Sequence, residues 1–296
     1  MLTFAFIVVR ILANPLANVF QKQLTQRSVH PIFVIAVVHT VLAIGCLPYC
    51  LVPGRLDLAA GVWSNMITAA LLAVTGNVLL VYALSGSDLS ILGPVNAYKS
   101  VVSLGLGVFL VGERPTPIGL LGVLLIVAGS YFVIDRKVNQ PLSNAFVRFV
   151  SGRGVQLRFA ALFLSATEAL FLKRAIVLSS PAIVFVLWSV LGFAIALAWT
   201  LLSLRRELAG QLAAVKSAFV TFVRLALATG AMQLATVLTF RDLQVGYSLA
   251  LFQLSTIVTV LLGRRFFAET NIGERLIGSI VMAAGAALIV VFGTRQ

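Results

Sequence analysis

Apolar residues run along this chain in blocks of about 20, separated by short breaks rich in proline, glycine and polar residues. A helix needs about 20 residues to cross ~30 Å of hydrocarbon at about 1.5 Å per residue. Measured this way, the pattern predicts ten transmembrane helices, at residues 2–21, 31–51, 62–84, 89–111, 116–134, 157–178, 181–203, 217–240, 246–267 and 273–292. Backbone groups in lipid need partners within their own segment, which favours helices. The predicted fold class is therefore an all-α polytopic membrane protein.

The composition agrees with this pattern and excludes other classes of protein. Of 296 residues, 60% are hydrophobic and 10% are charged, whereas a soluble domain has roughly 45–50% apolar and 25% charged residues. A soluble enzyme, a secreted disulfide scaffold and a disordered protein are therefore excluded. Arg10 interrupts the first apolar run, so we expect a retained membrane helix rather than a signal peptide. Cys46 and Cys50 share one apolar run without further cysteines, so we expect packing residues and no metal or cofactor.

The two halves of the chain repeat each other. A long polar connection leaves five predicted helices on each side, and residues 112–133 align without gaps onto residues 268–289 at a shift of 156. This shift pairs Glu113 with Glu269, Gly122 with Gly278 and Gly129 with Gly285. Five crossings per half turn the second half upside down, which predicts two inverted five-helix repeats, over 1–137 and 157–296, joined by a polar basic linker over 138–156. Inverted repeats are a transporter architecture, with the substrate held near the midplane.

The repeated elements also carry a family resemblance. They are the Gly112-Glu113 step followed by Gly122 and Gly129, its repeat at Ala268-Glu269 with Gly278 and Gly285, and the helix-ending lysines Lys22 and Lys173. In these features the chain resembles the ten-helix EamA-type branch of the drug/metabolite transporter superfamily. The resemblance implies a secondary transporter, often an exporter of amino acids, metabolites or drugs, with a central cavity between two inverted halves. It also implies that both termini face the cytoplasm.

The motif residues are expected to build the scaffold rather than to bind substrate. Glu113 and Glu269 fall at membrane–water boundaries, where each carboxylate is expected to accept the N-terminal amides of the next helix. The paired glycines of each half offer small faces for close helix packing.

Three charged side chains, Arg10, Lys99 and Glu168, fall near the centres of predicted helices. A charge at the hydrocarbon centre costs from ~2.5 to over ~10 kcal/mol unless it is paired or hydrated, so each is a candidate site residue. Asn14 and Asn18 follow Arg10 along one helix face. The remaining candidates for the same substrate or coupling site are His39, Asn77, Tyr82, Asn96, Tyr98, Trp188 and Gln233.

These residue types predict a polar pocket that recognises charge. Arg10 and Lys99 are expected to hold a carboxylate or phosphate group, while Glu168 meets an ammonium group or carries a proton. His39 is the second candidate proton carrier, since an imidazole titrates near neutral pH. Aromatic rings are expected to line the pocket walls.

Some of the same residues also fit purely structural roles. Glu168 alternatively neutralises a neighbouring base as a buried ion pair that fixes helix packing. His39 alternatively is a hydrogen-bonded core residue, and Asn77 and Gln233 alternatively form hydrogen bonds between helices.

The basic residues give a net charge of +13 and lie mainly between the apolar runs. Orientation in the bilayer and contact with anionic lipid account for them, so no nucleic-acid partner is expected. Of the 22 lysines and arginines, 13 are assigned to the side of the membrane that the chain reaches after its odd-numbered helices, and 6 to the other side. The remaining three lie within predicted helices. This count predicts a cytoplasmic central loop and both termini outside, opposite to the orientation that the resemblance implies.

The predicted function is secondary-active transport, most simply export, of a small polar metabolite such as an amino acid or a related anionic or zwitterionic compound. No P-loop occurs in the sequence, so an ion gradient, protons or a counter-substrate is expected to supply the energy. We expect a multi-pass protein of the cell membrane, surrounded by lipid, as a monomer or weak homodimer. The alternatives are a flippase for a lipid or lipid-linked phosphate and a multidrug exporter. An intramembrane enzyme is the least favoured, because no zinc or nucleophile motif is present.

Overall fold

The computed structural model describes residues 2–106, 114–133, 150–292 and 294–295. Within these ranges the chain is helical apart from turns and one short antiparallel pairing of Arg114–Pro115 (β1) with Thr294–Arg295 (β2). The first half contains α1 (Leu2–Gln26), α2 (Pro31–Cys50), α3 (Ala60–Ser85), α4 (Leu89–Val95), α5 (Tyr98–Leu106) and α6 (Pro117–Val133). The second half contains α7 (Arg153–Leu178), α8 (Pro181–Ser203), α9 (Leu208–Ser217), α10 (Phe219–Asp242), α11 (Val245–Phe252), α12 (Ser255–Phe267) and α13 (Ile272–Phe292). The expected all-α class is confirmed.

By length and composition, seven helical segments of the described chain are able to cross a membrane. They are α1, α2, α3, α8, α10, α13 and the segment Ser248–Phe267, which runs through α11 and α12. The other three predicted spans coincide with α4 and α5, with the 17-residue α6 and with the charge-bearing α7. The protein is therefore a multi-pass membrane protein, and the number of ten spans stays a prediction.

The corresponding helices α2 and α8 begin in the same way in the two halves. Pro31 and Pro181 occupy the first helical turn, where the missing N–H of proline leaves no donor unsatisfied. The residue before each proline caps the helix: the ring of His30 accepts from the amide of Ile32, and the hydroxyl of Ser180 accepts from the amide of Ile183. The N-terminal ends of α2 and α8 are thus both determined by local sequence.

The predicted helix over 89–111 is divided near Pro94, an interior proline that is expected to bend a helix, and residues 107–111 lie outside the described part of the chain. The chain forms α4 and α5, joined by a tightened turn in which the Asn96 amide donates to the Gly93 carbonyl over 3.0 Å. Pro94 has no amide donor and its ring crowds the preceding turn, which disfavours a regular helix here. The carbonyl of Leu92, which a regular helix would join to the Asn96 amide, instead accepts from Nε of Arg158 at 3.3 Å.

The predicted helix over 246–267 is broken in the same manner. Here the Gln253 amide donates to the Ala250 carbonyl at 3.0 Å. The freed Leu249 carbonyl accepts from Nε2 of the Gln253 side chain at 3.2 Å. A side-chain donor has replaced a backbone donor, a local competition that bends helices. We call these two breaks, at Asn96 and at Gln253, the tightened turns.

Two further boundaries differ from the prediction. The loop expected after residue 203 contains α9, which lies on the surface and buries none of its residues. Gln211 of α9 accepts from the backbone amide of His30 at 2.9 Å, which ties this helix to the α1–α2 turn. In addition, α7 begins at Arg153, four residues before the predicted start.

The most extensive helix contacts cross between the halves, pairing α6 with α13, α3 with α7, α1 with α10 and α2 with α8. Within the first half, α1 and α3 run in the same direction. Ile7 near the start of α1 shares a core cluster with Val62 near the start of α3, and Val19 shares another with Ala83 near the two C-terminal ends.

The first helix of the second half runs in the opposite direction. Gly154 at the start of α7 lies against the carbonyl of Ala83 near the end of α3, and Leu178 at the end of α7 lies against Gly61 at the start of α3. Because α3 is parallel to α1, α7 is antiparallel to α1. The two halves of the chain therefore begin with helices of opposite orientation.

Four glycines bring α6 and α13 into backbone contact. A Cβ atom added to Gly122 would lie 2.6 Å from the Gly285 carbonyl oxygen, and one added to Gly285 would lie 2.6 Å from the Gly122 oxygen. Gly129 and Gly278 form the second reciprocal contact, at 2.9 and 2.6 Å. Small residues permit this close approach of helices in a membrane.

We expect Gly285→Ala to destabilise the protein, because the new methyl group collides with the backbone of α6. Overpacking of this kind typically costs about 1–3 kcal/mol. The matched control is Gly273→Ala on the same helix, where a Cβ atom meets nothing within 4 Å. Thermal unfolding of the two purified variants in detergent measures the difference, and equal unfolding temperatures would contradict the close crossing.

Candidate functional site

A polar cavity of about 110 Å³ lies between the two halves, at the centre of the helix bundle. Helices α1, α3, α5, α7, α8, α10 and α11 and both tightened turns contribute to its wall. The polar and charged residues of the wall are Arg10, Asn14, Asn18, Gln21, Asn77, Asn96, Lys99, Arg158, Ser165, Glu168, Thr229, Gln233, Thr236 and Gln253. A cavity of this polarity inside an apolar bundle is suited to hold water or a polar solute.

The structure brings nine of the twelve predicted site residues to this cavity. They are Arg10, Asn14, Asn18, Asn77, Asn96, Lys99, Glu168, Trp188 and Gln233. The polar face predicted along the first helix is a real face, since Arg10, Asn14 and Asn18 line the cavity together with Gln21. Their roles toward a substrate stay predictions.

Three predicted site residues lie away from this cavity within the described part of the chain. The ring of His39 packs against Trp188 at 4.5 Å between ring centroids and lies against Gly192, in the contact between α2 and α8. The hydroxyl of Tyr82 lies 3.1 Å from Nε2 of His30, near one end of the bundle. The ring of Tyr98 packs against that of Phe159, with 5.2 Å between the ring centroids. None of the three lines this cavity, because depth in a helix does not determine the direction of a side chain.

Arg158 is the charged residue of the described cavity wall that the sequence prediction missed. The predicted helix began at residue 157, which left Arg158 at the edge of the linker, whereas α7 begins more than one turn earlier. The side chain is 7% exposed and lines the cavity. A signal was present in the sequence: Arg158, Ser165 and Glu168 recur at helical spacing and share one face of α7.

Arg158 joins the two tightened turns through a chain of hydrogen bonds. Its NH2 group donates to Oδ1 of Asn96 at 2.9 Å, and Nδ2 of Asn96 donates to Oε1 of Gln253 at 3.2 Å. Together with its bond to the Leu92 carbonyl, this holds the guanidinium against the first turn and connects it to the second. One cation is therefore linked to the backbone distortion of both halves.

Arg10 and Glu168 are held by neutral partners rather than by each other. Nε of Arg10 donates to the Thr236 hydroxyl at 2.8 Å, and its guanidinium lies over the Phe252 ring at 4.9 Å. Oε1 of Glu168 accepts from the indole nitrogen of Trp188 at 3.1 Å. Among the residues that the structure describes, no base lies within 4.0 Å of the Glu168 carboxylate. A salt bridge at contact distance is therefore absent here among the described residues, and neutralisation of Lys99 or Arg10 by Glu168 at longer range stays a prediction.

Several hydrogen-bonding atoms of the cavity wall have no partner in the protein. Among the described residues these include NH1 of Arg10, Nε2 of Gln233, the hydroxyl of Thr229 and Oε1 of Gln21. Asn77 donates within its own helix, to the Ala73 carbonyl at 2.9 Å. Among the described residues, no hydrogen bond of Asn77 or Gln233 reaches another helix, and that alternative role of the two amides stays a prediction. Buried polar atoms without partners are rare in proteins, and they indicate a site for water or ligand.

A second charged cluster lies at one end of the bundle, centred on Glu269. Its carboxylate accepts from Nζ of Lys22 at 2.8 Å and from the backbone amides of Leu89 and Ser90 at 2.7 and 2.8 Å. These amides belong to α4, so the expectation that Glu269 accepts amides of the following helix is wrong. Arg275 lies 3.9 Å from the same carboxylate. The cluster joins both halves at this end, and the matching Glu113 lies outside the described residues.

The position of Glu269 explains its ionisation. Burial by itself would raise the pKa of this carboxyl, but the bonds from Lys22, Ser90 and Leu89 outweigh burial and hold the pKa below its usual value. At the opposite end, Nζ of Lys173 donates to the carbonyls of Phe240 and Leu243, at the end of α10. Lysines at matching positions thus join helices at both ends of the bundle.

Comparison with known proteins identifies the first half of the chain. Its sequence matches the model of the EamA-like transporter family over residues 3–135. This family is one of membrane transporters, and the match confirms, over residues 3–135, the expected resemblance to the EamA-type branch of the drug/metabolite transporter superfamily.

The EamA-like segment is part of a fold shared over the whole chain. A solved structure, titled only "Crystal structure of protein", covers 95% of this chain and 96% of its own length, with 16% sequence identity and a TM-score of 0.58. At this identity the likeness concerns the fold alone. No curated protein matches the sequence.

We expect a cysteine placed at Asn77 to react with water-soluble thiol reagents, because this side chain lines the polar cavity. A negatively charged methanethiosulfonate should react at least about fivefold faster than a positively charged one, since the wall carries more cations than carboxylates. The background protein is Cys46→Ala/Cys50→Ala, and labelling is followed by mass spectrometry.

The matched control for this labelling is Val78→Cys, the adjacent position, which is 1% exposed and packs in the core. Equal labelling of the two positions, or a preference for the positive reagent, would contradict a water-accessible cationic cavity.

We expect Lys22→Met and Glu269→Gln each to destabilise the fold by about 3–5 kcal/mol, the typical cost of leaving one member of a buried ion pair unpaired. The double variant should lose less than the sum, because the two residues act on each other. The control is Arg241→Gln, at an ion pair with an exposed arginine, which should leave thermal unfolding unchanged.

The same cluster predicts a pH dependence. Because the pKa of Glu269 is lowered, its stabilisation is complete above the ordinary pKa of 4.5 and is lost as the pH falls below it. The unfolding temperature of Glu269→Gln should therefore fall less on acidification than that of the unmodified protein. If the unfolding temperatures of the two proteins fall equally as the pH is lowered, the stabilising role of the ionised Glu269 is excluded.

Proposed function

We propose that the protein is a secondary-active transporter of the cell membrane that exports a small polar metabolite, such as an amino acid or a related anionic or zwitterionic compound. The observation that carries this proposal is the central cavity, whose cations and carboxylate come from both halves of the chain. Charged side chains inside a membrane protein are costly, and those that occur usually mark the path of a solute or ion. The match of residues 3–135 to a family of membrane transporters supports the same conclusion.

The proposed architecture is two inverted five-helix repeats with the substrate at their interface. The antiparallel directions of α1 and α7 support it, as do the reciprocal contacts of Gly122 with Gly285 and of Gly129 with Gly278. The tightened turns at Asn96 and Gln253 lie at nearly corresponding positions of the two halves, as expected for repeats. In such transporters the broken helices border the substrate site.

Alternating access then requires that contacts at the two ends of the bundle separate in turn. At one end the halves are joined by the Glu269 cluster, and at the other Thr3 of α1 donates to Asp242 at the end of α10. Both are polar contacts that water can replace. The glycine crossing of α6 with α13 is tightly packed and is better suited to act as a fixed axis.

Glu168 is the proposed coupling residue. It is the one acidic residue of the cavity wall among those described, and its carboxylate is held by Trp188. A carboxyl group that exchanges a proton as the cavity changes sides would link the movement of substrate to a proton gradient. A counter-substrate is the alternative source of energy.

A flippase for a lipid-linked phosphate is the second candidate. The arginines of the cavity wall favour it, because guanidinium groups bind phosphate well. The volume of about 110 Å³ disfavours a multidrug exporter, since pockets for drug-sized molecules span about 300–1,000 Å³.

We expect Glu168→Gln to abolish substrate uptake driven by a proton gradient while exchange of substrate across the membrane continues. Purified protein is reconstituted into liposomes, and solute exchange is measured for amino acids, nucleosides, sugar phosphates and cationic drugs. Lys99→Ala should lower the rate of any saturable exchange at least about tenfold, with an unchanged amount of folded protein.

The control for this experiment is Arg224→Gln, which changes an exposed arginine of α10 outside the cavity. Proton coupling in Glu168→Gln equal to that of the unmodified protein would exclude the coupling role. If no water-soluble solute is exchanged and fluorescent phospholipid moves across the bilayer, the flippase is supported and transport of a water-soluble metabolite is excluded.

A further inference from the structure

The charges of the cavity do not balance. Arg10, Lys99 and Arg158 face one carboxylate, that of Glu168, which leaves an excess of two positive charges among the described residues. Arginine does not lose its proton in proteins, so the charges of Arg10 and Arg158 are permanent. A buried charge without a counter-charge costs several kcal/mol in a protein interior.

We propose that the substrate is a small dianion, a phosphomonoester or a dicarboxylate, which supplies the two negative charges that the wall lacks. This proposal rests on the proposed transport function and narrows its substrate class. A dianion neutralises the wall, whereas a monoanion leaves one positive charge and a zwitterion leaves both. The electrostatic gain is large because attraction between charges is stronger in the bundle interior than in water.

The hydrogen-bonding groups of the wall point to the same ligand class. Of these buried wall groups without a partner, NH1 of Arg10 and Nε2 of Gln233 only donate, the hydroxyl of Thr229 is able to donate, and one group, Oε1 of Gln21, only accepts. Gln21 and Gln233 are each 4% exposed. Phosphate and carboxylate oxygens accept several hydrogen bonds each, so they fit a wall with an excess of donors.

The arrangement of Arg158 suits it to select by charge. Nε and NH2 of Arg158 are already used, by the Leu92 carbonyl and by Asn96. The guanidinium is therefore fixed before a ligand arrives, which lowers the entropy cost of binding. Arg10 on α1 and Arg158 on α7 come from opposite halves, so one dianion between them would be held by both.

The first test is a comparison of substrates in proteoliposomes that contain the unmodified full-length protein. Vesicles are loaded with unlabelled solute, and uptake of labelled inorganic phosphate, glycerol 3-phosphate, succinate or alanine is measured at pH 7.5. We expect saturable exchange of at least one dianion and at least about tenfold slower exchange of alanine. A parallel assay with fluorescent phosphatidic acid tests whether the phosphomonoester is recognised as part of a lipid.

The second test changes the charge of the wall. Arg158→Gln should lower the preference for a dianion over a monocarboxylate such as lactate at least about tenfold, and Arg158→Lys should retain most of it. Glu168→Gln removes the negative charge of the wall and so raises its net positive charge. This variant should keep the preference for the dianion when exchange of substrate is measured. Arg224→Gln is the control and should behave as the unmodified protein.

The outcomes separate this proposal from the transport function on which it rests. Exchange of alanine or another zwitterion without exchange of any dianion would overturn the dianion proposal and leave the transporter standing. Exchange of no water-soluble solute by folded protein would overturn both. If the Arg158 variants fail to fold, two measurements on the unmodified protein still test the dianion proposal. They are the ranking of its substrates and the comparison of its thermal stabilisation by succinate and by alanine.

Discussion

The central constraint on this molecule is the cost of burying permanent charge in an apolar bundle. Arg10 and Arg158 carry charges that they cannot give up, and no carboxylate within the described chain pairs directly with either. Neutral acceptors offset part of this cost, namely the hydroxyl of Thr236, the amide oxygen of Asn96 and the backbone carbonyl of Leu92. These acceptors must be in place for the bundle to hold its charges, and they shape the helices that provide them.

The tightened turns illustrate this dependence. In the interior of a regular helix each backbone carbonyl already accepts from the amide four residues later, so a buried cation finds no free carbonyl there. The turn at Asn96 leaves the Leu92 carbonyl free for Arg158, and the turn at Gln253 leaves the Leu249 carbonyl free for an amide donor. The distortion of the helices and the chemistry of the cavity are therefore one feature. A solute that binds Arg158 would act on both halves through Asn96.

The two kinds of contact between the halves differ in what they permit. The crossing of α6 and α13 places glycine backbones against each other, and any separation there would open a void that no side chain fills. The Glu269 cluster and the contact of Thr3 with Asp242 consist of hydrogen bonds and charges. Water replaces such contacts at lower cost than it replaces tight apolar packing. The structure thus combines a fixed crossing with ends that are able to open.

Periodicity and composition determined the class of the protein, the positions of most helices and the polar face of α1, because each is a property of neighbours along one helix. They could not determine that Glu269 would accept amides from α4, some 180 residues away, or that His39 would face Trp188 rather than the cavity. Arg158 was missed because its place depends on where α7 begins, which packing against α3 decides. The direction of a side chain across the bundle is set by helix rotation. Rotation is fixed by contacts between distant segments, and so only the tertiary structure decided which charges share the cavity.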